Sequence, residues 1–172
     1  MVRIKQIALV ILSIALGTTF LYSAWTKLNP IQSFEYTMVE FAHMPWLLSA
    51  VAARLIIGVE AALGGLILLH FFGRRKWVLR SSLLLLILLS VYLVYLWATQ
   101  GNDVNCGCFG DAIWMSPSES LIKNGVLILA VWLLIRFHKG LQYRWLGIVT
   151  PLLFTVITIL PFILYGIPDN KP

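Results

Sequence analysis

Five apolar runs divide the chain, at residues 4–25, 47–72, 77–99, 120–137 and 145–165. A helix rises 1.5 Å per residue and needs roughly 20 apolar residues to cross the hydrocarbon core of a bilayer, so the runs predict five transmembrane helices. The first run follows Arg3 and Lys5, as a secretory signal would. It is longer than a signal core of about 7–15 residues and ends in Tyr22-Ser23-Ala24-Trp25 without a clear cleavage site, so it is read as a span. Between the first two runs, Asn29-Pro30-Ile31-Gln32 offers an N-cap, a proline at the first helical position and a glutamine at the third. Ile31, Phe34, Met38 and Phe41 then recur at helical spacing with Glu35 and Glu40 on other faces, which predicts a short amphipathic helix lying in the membrane interface. Ser116-Pro117-Ser118-Glu119 reads as a capping box that starts helix four sharply and leaves 100–115 as a short glycine-rich loop. Gly58, Ala61, Ala62, Gly64 and Gly65 make helix two narrow enough for close neighbours, and Pro161 predicts a kink in helix five.

Composition agrees with the spans. With 60% hydrophobic residues, 12% charged residues and a mean hydropathy of +0.89, the chain lacks the charge that the surface of a soluble domain needs. All 172 residues are read as a single transmembrane domain with the lipid bilayer as partner. Arg3, Lys5, Arg74, Arg75, Lys76, Arg80, Arg136, Lys139 and Arg144, nine of the 13 basic residues, fall on one side of the five spans. By the positive-inside rule that side is cytoplasmic. Glu35, Glu40, Asp103, Asp111, Glu119 and Asp169 lie on the other, leaving Glu60 alone within a span. The net charge of +6 thus expresses topology and gives no case for nucleic acid. The expectation is a multi-pass membrane protein with its N-terminus cytoplasmic and the loop after helix three facing outward, which in a bacterium means the periplasm, where disulfides persist.

That loop holds both cysteines of the chain, in Asn105-Cys106-Gly107-Cys108-Phe109-Gly110-Asp111. A disulfide across one residue strains the preferred geometry, which raises its oxidising power, and so small a loop adds little stability, so the pair suits thiol exchange better than stapling. Two other readings stand beside it: reduced thiols packed under the loop, and soft ligands for Cu(I) or zinc with His43, Asp103 and Asp111 as the available helpers. Arg54 and Glu60 are ionisable groups inside helix two, each costly at membrane depth without a partner. Six residues apart, they lie about 9 Å apart along the axis and on different faces, so they do not satisfy each other. Arg54 is placed to reach outward and stabilise a thiolate, and Glu60 to carry a proton; the alternative for both is an interhelical bond that sets the packing. Tyr92, Tyr95 and Thr99 share helical spacing before the loop, as lining of a quinone ring site or as part of the interfacial aromatic belt.

The run Tyr22-Ser23-Ala24-Trp25-Thr26-Lys27-Leu28, the set Arg54, Gly58, Glu60 and Gly64, and Cys106-Gly107-Cys108-Phe109-Gly110 together resemble the MauE-type branch of the DoxX-like membrane proteins. The likeness covers about residues 4–135 and leaves helix five, 145–165, outside it. It implies an all-α integral protein of a bacterial inner membrane: a four-helix transmembrane bundle core plus a fifth transmembrane helix, with the short interfacial helix after helix one. It also implies work alongside a periplasmic thioredoxin-like protein, which in the family's namesake setting serves maturation of the disulfide-rich methylamine dehydrogenase. The candidate catalytic residues are then Cys106, Cys108, Arg54 and Glu60, with Tyr92 and Tyr95 as candidates for holding a membrane quinone. Two function classes remain open on the sequence: a membrane thiol:disulfide oxidoreductase linked to quinone, and a non-enzymatic assembly factor or Cu(I)-handling protein that uses the same loop.

Overall fold

The computed structural model describes residues 2–72, 76–138 and 145–167 and, within them, every side chain except those of Val2, Arg3, Ala42 and Asp111. Arg74, Arg75, Lys139, Arg144 and Asp169, which enter the orientation argument, lie outside the described residues. Each apolar run forms a helix: α1 (Val2–Leu28), α3 (Trp46–Leu68), α4 (Trp77–Gln100), α5 (Pro117–Phe137) and α6 (Leu146–Tyr165). The polar breaks hold the amphipathic α2 (Ile31–Ala42) and a short extended segment β1 (Cys108–Asp111). All five long helices are apolar enough to span a bilayer. Leu88, Ile122, Ile148 and Ile163 point outward from them, the surface that lipid requires. This is a multi-pass membrane protein.

Helix ends follow local chemistry. At α5 the capping box forms as its sequence predicts, with the Ser116 hydroxyl accepting from the Glu119 N–H and the Glu119 carboxylate accepting from the Ser116 N–H at 2.9 Å. At α2 the start falls one residue later than predicted. Pro30 is extended and makes no side-chain cap, so the helix begins at Ile31, while Asn29 turns back to donate to the Trp25 carbonyl at 3.2 Å and close α1. The apolar run through residue 72 also outlasts its helix, for α3 ends at Leu68 ahead of a left-handed His70.

α3 is the centre of the bundle, packed by α1 on one side and α6 on another, with α4 and α5 forming a second pair. Between apolar helices in lipid, close packing replaces the hydrophobic effect as the driving force, and small residues permit it. A Cβ at Gly64 would stand 2.9 Å from the Gly17 carbonyl of α1, and one at Gly58 would collide with the Thr158 carbonyl of α6. Gly65, by contrast, meets nothing. The Ser13 hydroxyl of α1 adds a bond to the Ile67 carbonyl at 3.1 Å. One core cluster, including Leu16, Leu63, Leu79 and Val131, fills the half of the bundle away from the cysteines. A second joins α2 to α1 and α3 through Phe34, Met38 and Ile57. There α2 departs from expectation. Its Glu35 is as buried as its apolar face, because α2 folds back against α3 rather than merely floating on the interface.

Candidate functional site

The cysteine loop is held at both ends and in its middle. Asn105 accepts from the N–H groups of Gly107 at 3.3 Å and Met115 at 3.4 Å, and its amide donates to the Gly110 carbonyl at 3.3 Å. The Cys106 N–H donates to the Met115 carbonyl at 3.0 Å. Gly107 adopts φ +68°, a left-handed turn that favours glycine, and the chain doubles back until the Cys108 N–H points at the Cys106 sulfur, 3.3 Å away. Gly110 is left-handed too, at φ +55°, and a Cβ there would lie 2.6 Å from the Thr26 carbonyl. β1 therefore lies directly on the end of α1.

Both cysteines are free thiols, and their surroundings differ. Cys106 is buried, with its sulfur 2.9 Å from the Ser120 hydroxyl in the first turn of α5. Cys108 is partly exposed. The thiol of Cys106 hydrogen-bonds Cys108, which is the largest reason that the Cys108 pKa is pushed down to about 6 against the cost of burial; the ammonium groups of Lys123 and Lys27 add to it. The same bond, with burial and the neighbouring thiolate, drives Cys106 strongly upward. One sulfur is thus poised as a thiolate and the other holds the shared proton. The thiolate is the nucleophile in disulfide exchange.

Behind β1 lies a buried charge cluster. The Lys27 ammonium donates to both oxygens of Glu60 at 2.7 Å and to the Ser23 hydroxyl at 2.9 Å. Ser23 in turn sits 3.1 Å from a Glu60 oxygen and 3.0 Å from the Cys108 carbonyl, and its single proton serves one of the two. Lys123 of α5 stands over the Phe109 ring, 4.2 Å from its centroid, and Phe109 packs on Tyr22 at 5.8 Å. In formal charge Lys27 and Glu60 cancel, and Lys123 adds a positive charge that acts on Cys108.

The predicted site residues separate here. Cys106, Cys108, Glu60 and Tyr92 line one cavity of about 300 Å³ that runs from the loop into the membrane between α1, α3, α4 and α5. Arg54 does not. Its guanidinium is engaged by Glu35 of α2, the Ala50 carbonyl and the Gly166 carbonyl after α6, so the expectation that it reaches the thiols is corrected: α2 brings it a carboxylate first. Tyr95 also stands apart, exposed on the outer face of α4 with Thr99, because three residues of helix carry it around the edge that Tyr92 faces inward from. His43 and Asp103 are exposed, and Asp111 has no described side chain. Among the described residues no three His, Cys, Asp or Glu side chains converge as a metal site would require. Lys27, Lys123, Ser23 and Ser120 went unread as site residues. A signal was present for Lys123, a cation inside the apolar run 120–137, whereas Lys27 lies just past the run 4–25.

A multi-pass helical membrane protein with a paired-thiol loop over a buried ion pair is the class that fold and site define. Within it, the chain belongs to the family of methylamine utilisation protein MauE, whose model matches residues 5–137. It is also 36% identical over 133 residues to Protein TlpB of Flavobacterium psychrophilum, a match covering 71% of this chain and 34% of that protein. The chain therefore spans about a third of the length of the curated relative it matches. No solved structure matches it.

Proposed function

We propose that the protein is a membrane thiol–disulfide exchange protein whose Cys106–Cys108 pair oxidises a periplasmic thioredoxin-like partner. The observation that carries this reading is the asymmetry of the pair, a partly buried Cys108 favoured as thiolate beside a Cys106 that keeps its proton. In the disulfide state, a partner thiolate attacks the Cys108 sulfur, the Cys106–Cys108 bond breaks, and Cys106 leaves and takes up a proton beside Ser120. The partner's second thiolate then attacks its own sulfur in the mixed disulfide and releases Cys108. A sulfur stabilised as thiolate leaves faster, and a stabilised reduced form makes a more oxidising disulfide. The family's description as methylamine utilisation proteins is compatible with a client that belongs to methylamine utilisation.

Trapping tests it. Cys106→Ser leaves the Cys108 sulfur without its resolving neighbour, so cells expressing it accumulate a reductant-sensitive adduct between Cys108 and a thioredoxin-fold protein, identifiable by mass spectrometry. Cys108→Ser yields much less. Equal absence of adducts in both variants, with the wild-type pair fully alkylatable in oxidised membranes, refutes exchange.

A further inference from the structure

The cavity behind the cysteines has features that thiol exchange with an external protein does not use. At about 300 Å³ it reaches the lower end of the range for small-molecule sites, roughly 300–1,000 Å³. The cysteine sulfurs and the Lys27, Glu60 and Lys123 side chains mark its polar end. Its walls are apolar, and Leu88, which lines it, is also 58% exposed on the outer face of α4, so the cavity meets the lipid side of the bundle. Within it the hydroxyl of Tyr92 is buried and has no hydrogen-bond partner. A buried hydroxyl left unpaired costs free energy and so points to a ligand acceptor. The two cysteines of this sequence both lie in the loop, so an oxidant that restores the pair acts at the mouth of this cavity.

We propose that the cavity is a binding site for a membrane quinone, entered from the lipid past Leu88, with one ring carbonyl accepting from the Tyr92 hydroxyl and the ring against the cysteine pair. The proposal rests on the exchange reading for its purpose but not for its geometry. A quinone meets each feature: an apolar ring and tail for the walls, a carbonyl for the phenol, and capacity for two electrons beside a dithiol. As the sulfur–sulfur bond forms between Cys108 thiolate and Cys106 thiol, two electrons pass to the quinone. The Cys106 proton and one proton from water at the loop complete the quinol. A phospholipid tail would fill the walls equally well but leave the phenol unpaired.

The test reads binding apart from turnover. The Cys106→Ser/Cys108→Ser protein in nanodiscs is titrated with a photoreactive azidoquinone carrying a decyl tail, with decylubiquinone or decanol as competitor. Saturable labelling of α4 near Leu88 and Tyr92, competed by decylubiquinone and not by decanol, is expected. Tyr92→Phe, whose lost hydroxyl bonds nothing within the protein, should weaken binding about fivefold, as removal of a hydrogen bond worth about 1 kcal/mol predicts. Leu89→Trp, which fills the cavity, should abolish labelling. Labelling that decanol competes as well as decylubiquinone, or affinity unchanged in Tyr92→Phe, overturns the proposal. Loss of quinone binding alongside intact partner adducts would leave thiol exchange standing, whereas saturable binding without adducts would refute exchange alone.

Discussion

Cys106 and Cys108 share one tight turn but not one environment, and the difference lies in their neighbours rather than in their own chemistry. Gly107 folds the loop so that one thiol donates to the other, and two lysines from different helices stabilise the resulting thiolate. Because only thiolate reacts with iodoacetamide, alkylation of Cys108 in a Cys106-intact protein should be half-maximal near pH 6, falling below that value and level above it. Lys123→Gln removes a favourable charge and should raise that midpoint by roughly one pH unit, with Lys123→Arg restoring it. The sign is definite. A midpoint that moves down in Lys123→Gln, or that stays fixed, removes Lys123 from the site.

At the scale of elements, α3 carries two buried charges and each is answered by a different helix. Lys27 of α1 meets Glu60 and Glu35 of α2 meets Arg54, with both pairs almost wholly shielded. Such pairs rarely contribute net stability against an apolar replacement, yet removing one partner strands the other. Glu35→Leu should therefore cost roughly 3–5 kcal/mol and lower the Tm in detergent, whereas Glu35→Leu with Arg54→Met should recover most of the loss. Equal Tm values for the single and double variants would mean that Arg54 finds another counter-charge. The Glu35–Arg54 pair also sets where α2 lies. By holding α2 against α3, it brings Phe34 and Met38 to the cavity wall.

For the whole molecule, alternation of five spans places the cysteine loop, α2 and the end of α6 at one end of the bundle. Lys5 stacks on Phe137 and Lys76 bonds the Ile135 carbonyl at the other. The basic residues on that second end predict that it faces the cytoplasm. In a background lacking both native cysteines, Asn102→Cys should react with a membrane-impermeant maleimide in intact spheroplasts. Arg80→Cys should react only after lysis. The reverse pattern would put the thiols in a reducing compartment and remove the basis for an oxidising role.

Much of this protein was legible along one dimension. Span number and helix type follow from runs of apolar residues, and the capping box at Ser116 and the glycine turn between the cysteines are complete within a few neighbouring positions. The family resemblance rested on the same kind of contiguous motif, and it held. What the sequence left open was which distant group answers each buried one. Arg54 lies nearer in sequence to Glu60 than to Glu35, yet a helix turns the first pair onto different faces while the loop before α3 folds Glu35 back onto Arg54. Tyr92 and Tyr95 shared a periodicity but not a side, since only packing against α3 and α5 decides which face of α4 is interior. The acidity of Cys108 was decided last of all, because beyond the hydrogen bond from neighbouring Cys106 it depends on Lys123 and Lys27, 96 positions apart in the chain and joined by the fold around one sulfur. Electrostatic energy depends on distance in space, and a sequence specifies distance only along the chain.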